Sequence, residues 1–292
     1  MDPALKILEE MGELPLPDEK KRGKKSRKKN EKELLLDYNQ EIEREREKST
    51  ANQRKIYENL NHLSQTEKHN FDSKFTKPKN LHQEEYVTIL RSREKKIVVA
   101  TGPAGTGKTL FATEFAIKNY LSGNCEKLIF TRPSVSVDED LGYLPGTLEE
   151  KMAPWIRPIY DILYNFIPPK EIEQMMEEKI IEIAPLGFMR GRTFKNSWIV
   201  ADEMQNSTIS QMKMLLTRLG ENSRLVITGD LEQFDRNNEL NGLDDFLTKF
   251  KGKRSSSITS YEFQRSDIQR EDVVREVLDI YSGNTIPDDY KE

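Results

Sequence analysis

The sequence has few of the residues and segments that disulfide bonds, metal sites and membrane anchors require. Among its 292 residues there is one cysteine, Cys125, so an intrachain disulfide is excluded and a reducing compartment is indicated. The three histidines all precede residue 83 and lack the spacing of metal ligands. No apolar run approaches the length of a membrane span, and the first residues lack the pattern of a signal peptide. We therefore expect a cytoplasmic protein without a membrane anchor or a structural metal.

Charge, in contrast, is abundant and unevenly distributed. Charged residues make up 33% of the chain and apolar residues 35%, which indicates that one part is folded and another is solvated. Residues 20–29, KKRGKKSRKK, carry eight positive charges, although the whole chain has a net charge of −4. We predict a disordered basic arm over residues 1–30 and a charged helical extension over residues 31–77. Such an arm can neutralise nucleic-acid phosphates, although a merely solubilising tail is the alternative interpretation.

From residue 78 onward, apolar runs of strand length alternate with helical patterns. The strand candidates are KKIVVATG, KLIFTRP, KIIEIAP, WIVADE and RLVITGD, and the helical stretches include LFATEFAIKNYL and TISQMKMLLTRLG. This alternation predicts an α/β fold with a mainly parallel sheet flanked by helices over residues 78–284, followed by a C-terminal tail over residues 285–292. Ligands of such sheets bind at the carboxyl ends of the strands.

The stretch GPAGTGKT, residues 102–109, matches the phosphate-loop pattern G-x-x-x-x-G-K-[ST] between a predicted strand and a predicted helix. Its glycines let main-chain N–H groups surround a phosphate, and the helix N-terminus adds its dipole. Lys108 would place a charge between the β- and γ-phosphates, and Thr109 would hold Mg²⁺. The fold class is therefore that of a P-loop NTPase (RecA-like). The predicted nucleotide contacts in this loop are Gly102, Pro103, Ala104, Gly105, Thr106, Gly107, Lys108, Thr109 and Leu110.

Two further strands end in residues suited to ATP hydrolysis. Asp202 follows WIVA and can reach the metal, while Glu203 beside it can orient and deprotonate a water molecule. The next strand ends in GDLEQ, which puts Asp230 and Gln233 at the same edge, where they can contact the γ-phosphate. The glutamate argues against a small-molecule kinase, and the absence of an N-K-x-D motif argues against a GTPase. Gln83, about twenty residues before the loop, is either a reader of adenine or an ordinary surface glutamine.

These motifs together resemble those of the PhoH-like ATPases, relatives of superfamily 1 helicase cores. The resemblance covers roughly residues 78–282 and rests on GPAGTGKT, TRPSVSVDEDLGYLPG, APLGFMRGRTF, VADEMQN, QMKMLLTRLG, VITGDLEQFD and DVVREVL, in that order. It implies a core that binds and hydrolyses ATP with Mg²⁺ and a connection with RNA unwinding or processing. No fused nuclease domain can be recognised, because residues 1–77 are too short and too charged to form one.

The resemblance also points to arginines. Arg190 and Arg192 of MRGRT would line the nucleotide or nucleic-acid face, and Arg132 and Arg218 are alternatives for the same role. An ion-paired or solvated side chain is the other interpretation of each. About ten residues separate ITGDLEQFD from the next predicted helix, so a second motor domain cannot be inserted there. We therefore expect a homo-oligomer, a hexameric ring as the resemblance suggests, with an arginine finger supplied by a neighbouring subunit.

The function predicted from the sequence is that of a Mg²⁺-dependent ATPase acting on single-stranded nucleic acid, RNA rather than DNA, as a helicase-like motor or remodelling switch. Two alternatives stay open: an ATP-dependent binding protein that recruits a partner without translocating, and a nucleotide kinase. Turnover stimulated by nucleic acid would separate the first two, and a phosphorylated product would reveal the kinase.

Overall fold

The computed structural model describes residues 71–133, 157–234 and 240–270, together with Val273 and Ile280. The predicted basic arm, most of the predicted helical extension and the predicted C-terminal tail lie outside the described residues. Within the described ranges, no helix is both long and apolar enough to span a membrane. The same ranges contain no group of three or more His, Cys, Asp and Glu side chains that could hold a metal ion.

Six parallel strands form one sheet in the described part of the chain, in the order β3-β2-β4-β5-β1-β6. The strands are β1 (Ile97–Thr101), β2 (Lys127–Arg132), β3 (Ile181–Pro185), β4 (Ser197–Ala201), β5 (Arg224–Gly229) and β6 (Ile258–Glu262). Strands β1 to β5 correspond to the five apolar runs, so the predicted parallel sheet is confirmed. The apolar pattern does not predict β6, because an edge strand whose residues are half-buried or exposed has few apolar positions.

Helices cover both faces of this sheet. They are α1 (Leu81–Arg91), α2 (Lys108–Leu121), α3 (Pro169–Glu177), α4 (Ile209–Leu216) and α5 (Gly242–Phe250), and residues 157–163 are also helical. Successive strand residues point to opposite faces, so Val98 joins the apolar cluster under α1 and α2 while Val99 joins the one under α4 and α5. The predicted α/β fold with helices on both faces is confirmed.

Pairing between strands brings the site residues to one edge of the sheet. Thr101, the last residue of β1, is level with Gly229 at the end of β5, and Ala201 of β4 is level with Ile227. The residues that follow these three strands therefore begin side by side at the carboxyl edge. Those residues are the phosphate loop, Asp202 and Asp230, as the sequence predicts.

A buried arginine fixes α1 against the sheet. Arg224, the first residue of β5, donates from Nη1 to the carbonyl oxygen of Leu90 at 2.7 Å and from Nη2 to that of Ile89 at 2.8 Å. Its guanidinium also lies 4.8 Å from the ring centroid of Trp198. Burial lowers the pKa of Arg224 to about 10, so the group stays charged at neutral pH. A positive charge at the carboxyl end of α1 complements the helix dipole and holds this helix in place.

Helix α5 begins against the start of α4 at a glycine, and this contact gives a test of the packing. A Cβ at Gly242 would overlap the carbonyl oxygen of Thr208 and lie 2.7 Å from its carbonyl carbon. We expect Gly242→Ala to lower the free energy of unfolding by about 1–3 kcal/mol, because main-chain atoms must move. Gly187→Ala is the matched control, since nothing lies within 4 Å of a Cβ there. Equal losses for the two variants in urea denaturation would contradict the prediction.

Candidate nucleotide-binding site

Three glycines shape the loop between β1 and α2. Gly102, Gly105 and Gly107 have φ angles of +123°, +84° and +91°, which residues with a side chain rarely adopt. Space is also lacking, because a Cβ at Gly102 would overlap the carbonyl oxygen of Phe263 and one at Gly107 would lie 2.9 Å from the ring of Phe111. Residues 102–107 form the loop itself, and residues 108–110 form the first turn of α2.

Lys108 is buried at the centre of this loop. Its Nζ donates to the carbonyl oxygens of Gly102 at 2.6 Å and Pro103 at 2.7 Å. Burial lowers the pKa of Lys108, and the negative charges of Asp230, Asp202 and Glu203 act in the opposite direction. An ammonium group among main-chain groups and carboxylates can exchange a carbonyl partner for a phosphate oxygen.

A carboxylate shared by two hydroxyl groups lies beside the loop. Thr109 donates from Oγ1 to Oδ1 of Asp202 at 2.7 Å, and the hydroxyl of Thr228 donates to the same oxygen. These contacts join α2, β4 and β5 at the carboxyl edge. Mg²⁺ prefers oxygen ligands such as carboxylates and hydroxyl groups, so Thr109 and Asp202 fit the metal role predicted for them.

The next residue, Glu203, is held by a glutamine that the sequence does not single out. Gln205 donates from Nε2 to Oε2 of Glu203 at 2.5 Å and to the carbonyl oxygen of Gln233 at 3.2 Å. Its Oε1 accepts the main-chain N–H of Asp230 at 3.1 Å. The only sequence signal for Gln205 is its position two residues after the glutamate. Its contacts with residues 230 and 233 depend on the pairing of β4 with β5.

Asp230 and Gln233 belong to a tight turn after β5. The carboxylate of Asp230 is buried and accepts the N–H of Glu232 at 3.1 Å, while its carbonyl oxygen accepts the N–H of Gln233 at 3.1 Å. The side chain of Gln233 is exposed. Next to the turn is a cleft of about 440 Å³, lined by residues 101–103, 230–232 and 262–266. The structure thus brings Glu203, Asp230 and the main chain of Gln233 together beside the loop.

Gln83 is not a surface residue, since it is only 3% exposed. Its Nε2 donates to the carbonyl oxygen of Thr106 at 3.0 Å, and its Oε1 accepts the N–H of Lys79 at 2.8 Å. Both ends of the amide therefore connect α1 and the segment before it to the phosphate loop. The contact with adenine stays a prediction.

Two of the predicted arginines lie at the far side of the sheet. Arg192 forms a two-pronged ion pair with Glu182 of the edge strand β3, with an Nη2–Oε2 distance of 2.6 Å, and this hydrogen bonding raises its pKa. Arg218 donates to the carbonyl oxygens of Met214 at 3.2 Å and Arg192 at 3.1 Å. Because β3 is four strands away from β1, roughly 19 Å separates these strands. The structure does not bring Arg192 or Arg218 to the phosphate loop of the same chain.

The other two predicted arginines differ in position. Arg190 is exposed in the turn after β3. Arg132 ends β2 and, with Thr109 and Asp202, lines a small cavity at the carboxyl edge. Arg132 is therefore the predicted arginine that the structure brings to the candidate metal ligands.

An arginine that was not predicted lies directly on the loop. The Nε of Arg270 is 2.7 Å from the position of a Cβ at Gly105, and the N–H of the preceding residue, Gln269, donates to the carbonyl oxygen of Gly105 at 3.0 Å. Asp267, in the same segment, contacts Nδ1 of His82 at 2.7 Å and so ties the segment to α1. No sequence pattern links residue 270 to residue 105, because folding of the segment after β6 makes the contact.

Comparison with known proteins gives consistent matches. The family model described as PhoH-like protein matches residues 75–282. A PhoH-like protein of Synechocystis is 40% identical over 212 residues, covering 72% of this chain and 63% of the relative. One of Bacillus subtilis is 40% identical over 213 residues, covering 73% and 66%. Protein PhoH of Escherichia coli K12 is 38% identical over 215 residues, covering 72% and 60%. The chain thus spans less than two thirds of the length of these relatives.

The solved structures that match this chain are more distant in sequence. A Pif1 helicase from Candida albicans has 16% identity and a TM-score of 0.39, with 73% of this chain and 46% of that chain covered. A Sulfolobus solfataricus SWI2/SNF2 ATPase core in complex with dsDNA has 15% identity and a TM-score of 0.38, covering 64% and 45%.

The hydroxyl of Thr109 gives a specific test of the candidate metal ligands. We expect Thr109→Val to weaken binding of ATP in the presence of Mg²⁺ by roughly 10-fold or more, with little change in EDTA, because the hydroxyl would contact the metal and not the nucleotide. Thr113→Val is the matched control one turn along α2, where the buried hydroxyl has no hydrogen-bond partner in the described part of the chain. Isothermal titration calorimetry checks both variants. Equal weakening with and without Mg²⁺ would contradict the metal role.

Proposed function

The chain belongs to the PhoH-like protein family, and we propose that it is a Mg²⁺-dependent ATPase that acts on single-stranded nucleic acid. The observation that carries this proposal is the arrangement at one edge of the sheet: Lys108 lies within the phosphate loop, Thr109 contacts Asp202, and Gln205 joins Glu203 to Asp230 beside that loop. A fixed positive charge, a metal-binding pair and a candidate general base are the groups that hydrolysis of a phosphoanhydride requires.

Each of these groups has a distinct task in the proposed reaction. The N–H groups of the loop and the ammonium of Lys108 bind the β- and γ-phosphates. Thr109 and Asp202 would hold Mg²⁺, which neutralises charge on the phosphate oxygens when it is bound. Glu203 orients the attacking water and accepts its proton through Oε1, which accepts no hydrogen bond from the described residues. Asp230 and Gln233 would pass a change at the γ-phosphate to the turn after β5.

Two observations support nucleic acid as the partner, and the first of them favours RNA. The first is the family resemblance, which connects such cores with RNA. The second is the basic segment at residues 20–29, whose eight positive charges can neutralise the phosphates of a nucleic acid. The second candidate is a binding protein that uses ATP only to change shape. A charged extension that recruits a partner would be consistent with this candidate as well.

Turnover measurements test the proposal and separate these candidates. We expect single-stranded RNA to stimulate ATP hydrolysis more than single-stranded DNA does. Glu203→Gln should keep ATP affinity while turnover falls by ~10²-fold or more, because a positioned general base is lost. Lys108→Ala should weaken ATP binding instead, because the phosphates lose their counter-charge. Hydrolysis at the parental rate by the Glu203→Gln variant would reject the catalytic assignment. An absence of stimulation by either nucleic acid would favour the second candidate.

We also propose that the protein works as a homo-oligomeric ring of hexameric type. The support is the position of Arg192 and Arg218 on the β3 side, which is too far across the sheet for them to serve the phosphate loop of their own chain. In a ring, one of them would approach the nucleotide of a neighbouring subunit.

Mixing two inactive variants tests this arrangement. When Arg218→Ala subunits and Glu203→Gln subunits assemble together, we expect part of the ATPase activity to return, because some interfaces then combine an intact glutamate with an intact arginine. The same experiment with Arg192→Ala identifies which arginine acts. A chain that carries both changes should stay inactive and is the control. Mixtures that stay inactive, or sedimentation of the parental protein as a monomer with ATP, would reject the ring.

A further inference from the structure

The side-chain amide of Gln205 connects groups from two parts of the chain. These are the carboxylate of Glu203, which follows β4, and two main-chain groups in the turn after β5. The amide donates to the carboxylate of Glu203 and to the carbonyl oxygen of Gln233, and it accepts the N–H of Asp230. A flipped amide would put its oxygen against the carboxylate and its NH₂ group against an N–H, so the partners fix its orientation. The amide is thus held in one position by groups on both sides of it.

The side chain of Gln205 is buried and closely packed against the end of β5. The residue is 1% exposed, and a buried amide without partners costs about 1–3 kcal/mol. A Cβ at Gly229 would lie 2.9 Å from Oε1 of Gln205 and 2.6 Å from Cδ2 of Leu243. The end of β5 therefore needs glycine at residue 229 for the amide to fit. Glycine at this position thus leaves space for the amide oxygen that accepts the N–H of Asp230.

The hydrogen bond from Gln205 holds Oε2 of the Glu203 carboxylate. None of the described residues donates a hydrogen bond to the other oxygen, Oε1. The main chain of Glu203 is in the left-handed conformation, with φ 53° and ψ 36°, at the start of a 3-10 turn over Met204–Asn206. A glutamate side chain has several rotatable bonds, so without a partner its carboxylate would sample many positions. The hydrogen bond from Gln205 selects one of them.

We propose that Gln205 is a positioning residue for hydrolysis: it sets the place of the Glu203 carboxylate and makes that place depend on the turn formed by residues 230–234. The inference rests on the proposed ATPase function and adds a means of control to it. Any ligand that shifts the turn moves the two main-chain partners of the amide, and the amide then moves the carboxylate. Alignment of a reacting group is sensitive to such shifts, since about 1 Å of misplacement costs on the order of 10²-fold in rate.

Gln205→Glu tests the proposal most directly. The new side chain has the same shape and can still accept the N–H of Asp230, but it places an oxygen where an NH₂ group now donates to Glu203 and Gln233. We expect kcat to fall by roughly 10–100-fold while the KM for ATP changes little, because repulsion between the two carboxylates moves Glu203 out of alignment and the phosphate loop is intact. The matched control is Gln174→Glu, which breaks the 2.8 Å hydrogen bond from Gln174 to Glu178 on the exposed face of α3 and should leave kcat unchanged.

A double-mutant cycle separates positioning from a purely structural role. If Gln205 acts through Glu203, then Gln205→Glu in a Glu203→Gln background should lower the remaining turnover by less than about 2-fold. Equal losses in both backgrounds would overturn the proposal, as would parental kcat in the folded Gln205→Glu variant. Gln205→Met, which keeps the length and removes every hydrogen bond, gives the same comparison if the Glu variant does not fold. A parental protein that binds ATP without hydrolysing it rejects the proposed function itself, whereas loss of the Gln205 effect alone rejects only this inference.

Discussion

Parallel pairing of β1, β5 and β4 is the constraint on which the candidate site depends. Because Thr101 is level with Gly229 and Ala201 is level with Ile227, three separate segments of chain leave the sheet at the same edge. A shift of register by one residue would turn every strand side chain to the opposite face and move each loop along the edge. The two apolar clusters prevent that shift, because each strand contributes alternate residues to opposite faces of the sheet. Packing on both faces therefore sets the positions of the polar groups at the edge.

Polar contacts then refine what the register brings together. The hydroxyl groups of Thr109 and Thr228 meet on one oxygen of Asp202, and the amide of Gln205 links Glu203 to the turn after β5. Lys108 is buried in the loop, where the negative charges of Asp230, Asp202 and Glu203 oppose the lowering of its pKa by burial. Groups of this kind are costly to bury without partners, so each contact constrains its neighbours as well as itself. Because Asp202 and Glu203 are adjacent in the chain, these contacts connect α2, β4, β5 and the turn after β5 in one network.

The same network links the site to elements on both sides of the loop. Gln83 holds α1 against the loop from one direction, and Arg224 fixes the other end of α1 to β5. The segment after β6 covers the loop from another direction, through Gln269 and Arg270 at Gly105. A phosphate loop that is contacted by both α1 and the segment after β6 can report a change in its ligand to each of them. That property suits the proposed ATPase function.

The sequence alone determined the central strands, the phosphate loop and the identities of the acidic residues at the strand ends. The strands could be predicted because buried parallel strands such as β4 and β5 are continuous apolar runs. The site residues could be predicted because the carboxyl ends of parallel strands all lie at the same edge of the sheet. The edge strand β6, the burial of Gln83, and the placement of Gln205 and Arg270 were decided only by the tertiary structure. So was the separation of Arg192 and Arg218 from the loop, since sequence motifs carry no distance across a sheet. All of these features have the same physical cause. Each depends on contacts between segments that are distant in the sequence and that only sheet order and packing bring together. Such contacts leave no local pattern in the chain.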